Sequence, residues 1–479
     1  MVDTVILWLR RDLRLADNPA LSRALSGAGR LVPLYIHCPA EEGRWRAGAA
    51  SRWWLHHSLA ALDRAFRERG SRLLIARGED SLTELRRIAT ACGATRICWA
   101  RRYEPATRAT DARTELALRA DGLRCDSVEG NLLFEPWDLA TEANGPYRVF
   151  SAYWRRAVTR LTLPVIEPAP TALPPAPSDL GALSVDELGL LPRVRWDTGL
   201  AHAWTPGEDG AQARASAFID GPLATYAAKR DRPGVLGTSR LSPHLHFGEI
   251  GPRQLVRMIA DRGLVLDEGP AEPYVRELGW REFAYHLIHH FPHTTDEPLD
   301  ERFAAFPWRE DETLLAAWQR GRTGIPLIDA GLRELWKTGW MHNRVRMAAA
   351  SLLTKNLRQP WQAGARWFWD TLVDADLASN TLGWQWTAGC GADAAPYFRI
   401  FNPVRQGERF DPTGDYVRRW CPELARLPAR FIHQPWAAPA GVLTDAGIRL
   451  GSDYPQPIVD LAASRREALA AWETIKNQA

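Results

Sequence analysis

Four stretches of the sequence place chemically capable side chains at useful spacings. Gly237-Thr238-Ser239-Arg240-Leu241-Ser242-Pro243 packs three hydroxyls, a guanidinium and a glycine into seven residues. Hydroxyl and backbone donors ahead of a helix start suit a phosphate. The same pattern also makes an ordinary capped helix N-terminus. Glu277, Trp280 and Arg281 are spaced i, i+3, i+4, so a helix carries them on one face. That face offers a carboxylate, a flat ring and a cation, or simply a salt-bridged surface. In Gly339-Trp340-Met341-His342-Asn343-Arg344-Val345-Arg346-Met347 the helical period puts Trp340, Asn343 and Met347 together. Trp and Met there suit a core, whereas a buried Asn needs hydrogen-bond partners. Asp374-Ala375-Asp376 precedes Asn380 and then Gly383-Trp384-Gln385-Trp386. Paired carboxylates suggest metal or acid–base work. No His or third carboxylate stands nearby at ligand spacing, which argues against a metal. Carboxylates also accept from ribose hydroxyls and from the edges of heteroaromatic rings.

Elements must hold these groups in place. The first 130 residues alternate apolar strands (Val5–Leu9, Leu31–His37, Arg72–Ala76, Thr95–Trp99, Arg124–Val128) with helical stretches. Asp17-Asn18-Pro19 reads as a helix start, and Gly70 as a stop after Ser51–Arg69. Further helices fit Ser81–Ala91 and Thr107–Ala120. The alternation predicts an α/β domain over 1–130, a doubly wound parallel sheet of five strands. It carries neither a G-x-G-x-x-G nor a G-x-x-x-x-G-K-[ST] motif. Residues 131–200 are expected to be an interdomain linker, with Pro and Ala dense over 164–184. Residues 201–479 show helical periods, as in Pro270–His290 and Arg344–Leu357, and predict a large all-helical domain.

The chain has 479 residues, 46% hydrophobic and 24% charged, with a net charge of +3, ordinary for a globular protein. Charge is uneven locally. Arg320 to Arg366 holds nine basic residues against two acidic, and Asp296 to Glu312 seven acidic against two basic. These read either as solvated faces or, for the first, as a phosphate-binding face. Six scattered cysteines without a C-x-x-C pair argue against disulfides and a cysteine zinc site, and fit the cytoplasm. No apolar run has the roughly 18 residues a spanning helix needs, and no signal peptide is expected. Trp is in excess, 22 against 10 Tyr, which fits either core packing or stacking and electron transfer.

TGIPLIDAGLREL (323–335), TGWMHNRVRM (338–347), DADLASNTLGWQW (374–386) and DAAPYFRIFNPVRQGERFD (393–411) resemble, in order, signatures of the DNA photolyase/cryptochrome family. WLRRDLRLADNPAL (8–21) resembles the start of its antenna domain. Among the branches the sequence looks most like class I cyclobutane pyrimidine dimer photolyases. The resemblance implies an FAD-binding helical domain and light-dependent repair of UV-damaged DNA, single- or double-stranded, by a monomer. Fully reduced FAD would donate the electron that splits the dimer. Around FAD it implies Tyr226, Thr238, Ser239, Arg240, Leu241, Ser242, Arg346, Asp374, Ala375, Asp376 and Asn380, with Arg346 pairing Asp374 and Asn380 facing the flavin. Glu277 and Asn343 would lie between FAD and the lesion. DNA would meet Trp280, Arg281, Trp340, Arg344, Met347 and Gln406, with Trp280 and Trp340 stacking on the splayed bases. Trp384, Trp361 and Trp308 match the family's electron-transfer tryptophans. Its alternatives are a cryptochrome-like photoreceptor and a (6-4) photolyase.

A second, antenna chromophore is also implied, methenyltetrahydrofolate or 8-hydroxy-deazaflavin. Ala106-Thr107 stand where folate binders carry Asn-Glu, while Glu104 and the Ser51–Leu59 stretch look more like deazaflavin-binding members. Thr381-Leu382 replaces the Asn-Gly common before the Gly-Trp pair.

Overall fold

Five strands pair in parallel in the order β3-β2-β1-β4-β5: β1 Thr4–Leu9, β2 Arg30–His37, β3 Leu74–Arg77, β4 Arg96–Ala100 and β5 Arg124–Val128. The computed structural model describes residues 3–177, 180–394 and 398–476. Every residue of β1 and β4 is buried, as a sheet covered on both faces requires. Val5 sits opposite Leu31 on one side and Arg96 on the other. The strand order therefore reverses between β1 and β4, which opens a crevice beyond their carboxyl ends.

Four helices alternate with the strands: α1 Pro19–Leu25, α2 Ala49–Arg67, α3 Ser81–Cys92 and α4 Pro105–Ala120. Their starts follow the capping chemistry of the sequence. Asn18 Oδ1 accepts from the Leu21 amide at 3.0 Å with Pro19 behind it, and Asp80 accepts from the Thr83 amide at 2.9 Å. Trp8, Trp99, Ile6, Val32 and Leu34 join one buried cluster under α3.

By internal packing the chain divides into two units. The first is Met1–Ala224 with Ser239–Pro292 and Val373–Leu377; the second is Thr225–Thr238, His293–Leu372 and Ala378–Ala479. In the first, the segment expected to be a linker contains a helix, α5 (Phe150–Val158), with Phe150, Tyr153, Trp154 and Ala157 buried. α5 packs on the helix Glu272–His290 where Gly279 permits close approach: a Cβ there would lie 2.3 Å from the Trp154 ring. The described residues of the Pro-rich stretch form no helix, and its Leu173 and Leu183 amides donate to Arg69 and Ile75 carbonyls at 2.8 Å.

The second unit is built from helices; among its described residues no strand of a sheet is present. Pro326–Thr338 ends at Gly339 in the left-handed region (φ 69°), and Asn343–Ser351 begins only after His342, whose ring accepts from the Arg344 amide. Trp340 thus precedes the helix, and the expected single helical face of Trp340, Asn343 and Met347 does not form. A glycine stop followed by a side-chain cap outweighs the apolar period. Past Ser351 the helix widens into a π-helical turn, Leu352–Asn356.

Candidate functional site

In the first unit, the Ser239-Arg240-Leu241 part of the hydroxyl-rich run leads into the helix Ser242–Phe247. Ser239 Oγ accepts from the Leu241 amide at 3.3 Å, which folds the turn back on itself. Arg240 takes a positive φ of 53° and lies 4.8 Å over the Trp204 ring. Leu241 is buried and anchors the turn. Ser242 Oγ donates to Asp374 Oδ2 at 2.6 Å.

Ala375 is buried, and Asp376 beside it is a buried carboxylate. Tyr285 Oη donates to Asp376 Oδ2 at 2.5 Å, and His246 Nδ1 lies at 3.5 Å. Burial alone would raise this carboxyl. The His246 hydrogen bond, the Arg281 charge and the Tyr285 hydroxyl outweigh it and hold Asp376 well below the usual carboxylate range. His246 is itself pushed down by burial and by the Arg11 charge, against the Asp376 hydrogen bond and charge, which pull it up.

Glu277, Trp280 and Arg281 all lie on the Glu272–His290 helix, as their spacing predicts. Arg281 does not make the simple surface salt bridge. Its guanidinium donates to the Asn131 carbonyl at 2.8 Å and to Glu282 at 3.2 Å. Glu282 also accepts from the Leu133 and Phe134 amides, and burial pushes its carboxyl up to about 7. Trp280 is half-buried, and Phe150 stacks on it at 3.7 Å between ring centroids, 12° from parallel.

The first unit also holds a small, partly open pocket in the crevice beyond β1 and β4. Arg11, Arg101, Arg102, Glu104, Tyr285 and Arg281 are among its lining residues. Arg11 pairs with Glu104 at 2.5 Å. Burial opposes ionisation of Glu104, but the Arg11 charge prevails and holds the carboxyl low.

In the second unit, Tyr226 opens a short helix with Arg230 over its ring at 5.3 Å, and Thr238 lies at a bend further along. Trp340 is buried, with the Arg346 guanidinium 5.9 Å over its ring. Arg346 Nε donates to the Met341 carbonyl at 2.7 Å. Asn343 is exposed, its amide 4.0 Å from Met347 Sδ one turn on. Arg344 pairs with Asp231 at 2.7 Å. Asn380 donates from Nδ2 to the Ala365 carbonyl at 3.2 Å, which fixes the plane of its amide. Gln406 keeps a buried Oε1 with no hydrogen-bond partner among the described residues.

The basic stretch is not one open face. Lys355 is fully buried, while Arg333, Arg344 and Arg358 are ion-paired with Glu423, Asp231 and Glu467. Arg320, Arg322, Lys337 and Arg366 are the exposed cations of the run.

The three tryptophans lie in separate parts of the second unit, two on helices and Trp308 in irregular chain. Trp384 is buried on the helix Leu377–Ala388, and Trp361, also buried, opens the helix Trp361–Thr371. Gly364, one turn after Trp361, receives the Trp384 ring: a Cβ there would lie 2.0 Å from its Cη2. Trp308 is half-exposed beside Phe306, at 4.5 Å between centroids.

Sequence reasoning missed Trp386, although its motif was read. With Gly389, Arg399 and Phe401 it lines a small pocket. The signal was its position two residues after Trp384, which turns the two rings to different sides of one helix. Of the fourth signature, Ala395, Pro396 and Tyr397 lie outside the described residues.

Residues 274–474 match the FAD binding domain of DNA photolyase, and residues 5–176 match the DNA photolyase domain. A deoxyribodipyrimidine photo-lyase of Agrobacterium fabrum is 46% identical over 98% of this chain and 98% of its own. The chain belongs to the DNA photolyase/cryptochrome family. Cryptochrome-1 of Arabidopsis thaliana is 41% identical over 98% of this chain and 70% of its own. A solved structure described as a bacterial class III photolyase from Agrobacterium tumefaciens superposes with a TM-score of 0.95 at 45% identity, covering all of this chain and 98% of that one. The photolyase fold, a five-stranded parallel sheet followed by a predominantly helical FAD-binding part, is therefore that of this protein. No helix among the described residues is long and apolar enough to cross a membrane.

Proposed function

We propose that this photolyase-family protein splits cyclobutane pyrimidine dimers in DNA under light. The observation that carries the reading is on the Glu272–His290 helix: Trp280 stands half-exposed, flat and aromatically backed, one turn after the carboxyl of Glu277. A base taken out of the stack needs such a platform, which is worth roughly 1–3 kcal/mol per base. Trp340, Asn343, Met347, Arg344 and Gln406 belong to the lesion-binding set in this reading.

The residues assigned to FAD fit it chemically. Thr238, Ser239 and Arg240 offer hydroxyl and cationic donors for a diphosphate beside Ser242, whose hydroxyl is held by Asp374, with Tyr226 and Leu241 as neighbours and Arg346 as a further cation. Asp374 and Asp376, flanking Ala375, offer acceptors to ribose and ring N–H groups, and Asn380 offers an amide already held in plane. When bound and reduced, FAD supplies the light-excited electron donor. The protein's part is to stack and hold the lesion, to bring the Glu277 carboxyl and Asn343 amide to it, and to offer Trp384, Trp361 and Trp308 as an electron path through the second unit.

The pocket beyond β1 and β4 supports a second chromophore in the first unit. Its arginines suit a flat ligand with anionic groups, and the crevice where strand order reverses is the place such folds bind ligands. Within the family, the likeness to the Agrobacterium tumefaciens protein favours class III over class I. A photoreceptor role is the second reading, favoured by the 41% identity to Cryptochrome-1.

Binding separates the two. The purified protein should prefer a dimer-containing oligonucleotide to the same oligonucleotide undamaged, and its affinity should fall as salt rises. Equal binding of both oligonucleotides would count for the photoreceptor.

A further inference from the structure

We infer that Phe150 is a positioning residue for the lesion: it holds the Trp280 ring in the plane on which a flipped base stacks. The inference deepens the repair reading above and rests on it. Phe150 is 1% exposed, and its ring lies 3.7 Å from Trp280, nearly parallel. Behind it, Trp154 stacks on Phe150 at 6.2 Å and 10°. The three rings form a column, and its far end is fixed, because the Trp154 ring fills the space left by Gly279. Phe150 and Trp154 belong to α5; Gly279 and Trp280 are neighbours on the Glu272–His290 helix. The helix that carries Trp280 therefore anchors the column that orients it. Arg276 completes the support, its guanidinium 5.7 Å from the Phe150 ring.

One face of Trp280 is thus occupied, and the ring cannot turn about its side-chain bonds without breaking the stack. A partner arriving on the other face meets a platform already ordered. Ordering that would otherwise be lost on binding is spent in folding, and this favours affinity for the stacked base in particular. The three rings of the column carry no charge, so contacts to phosphates should not feel the loss of Phe150.

The test compares binding of a single-stranded oligonucleotide carrying one thymine dimer with binding of its undamaged twin. Phe150→Leu should weaken dimer binding roughly three- to tenfold, the scale of one lost aromatic pair. Binding of the undamaged strand and FAD content should not change. Phe150→Tyr, which keeps the flat ring, should restore dimer binding. In a Trp280→Leu background, Phe150→Leu should add nothing, because the residue it positions is gone. Should Phe150→Leu lose FAD, Phe150→Met, flexible and similar in volume, carries the same comparison. Wild-type dimer affinity in a folded Phe150→Leu protein overturns the inference, as does an undiminished effect in the Trp280→Leu background. A wild-type protein with no preference for the dimer overturns the repair reading instead, and the inference with it.

Discussion

Trp361→Phe should leave the protein folded and loaded with FAD, yet slow light-driven reduction of the oxidised flavin roughly tenfold or more. Trp384 is buried and lies across Gly364, one helical turn from Trp361, whereas Trp308 is the half-exposed member of the set. Phe is far harder to oxidise than Trp, so the middle step becomes uphill, and about 1.4 kcal/mol on its barrier already costs a factor of ten. Trp361 is 2% exposed and Phe is smaller, so some packing energy is lost as well, on the order of 1–2 kcal/mol. Flavin reduced chemically bypasses the path, and dimer splitting should then proceed as in the wild type. The check is the decay of oxidised-flavin absorbance under blue light with an external reductant. Photoreduction at the wild-type rate would mean that electrons travel through other residues.

Asp376→Ala carries the second large effect. The substitution removes the acceptor of the Tyr285 hydroxyl and the partner of His246, and takes away one of the two carboxylates whose charge faces Arg281, Glu282 being the other. Donors stranded in a buried site are costly, and the loss should be roughly 3 kcal/mol of stability. Most of the bound FAD should go with it. Asp376→Asn keeps an acceptor oxygen of the same shape and should retain a larger share of both. Thermal melting and flavin absorbance per protein read the two effects separately. Full FAD content and an unshifted melting temperature in Asp376→Ala would remove this carboxylate from cofactor binding.

Local chemistry was readable from the residues themselves. The Asn18-Pro19 start, the five strand segments and the shared helix of Glu277, Trp280 and Arg281 are settled within a few positions of the chain, and the structure has each of them. Trp340 shows where periodicity misleads: Gly339 ends one helix and His342 caps the next, so the apolar spacing crosses a break. α5 shows the opposite. Phe150, Tyr153, Trp154 and Ala157 have helical spacing, but the Pro-rich stretch after them masked it.

Partners distant in sequence were not readable at all. Ser242 meets Asp374 across 132 positions, and Tyr285 meets Asp376 across 91. The run of basic residues also lost its simple reading, because folding buried Lys355 and paired three arginines with carboxylates from elsewhere. The resemblance to a family named the site residues; the structure supplied the hydrogen bonds that hold several of them.

The central claim is that this protein breaks the cyclobutane ring of a pyrimidine dimer using light. The direct measurement gives FAD-loaded protein, reduced beforehand, to an oligonucleotide with a single thymine dimer, and follows recovery of thymine absorbance under blue light and in darkness. The account predicts recovery over repeated turnovers in the light and none in the dark. An unchanged dimer under illumination, with the protein bound and its flavin reduced, would contradict it.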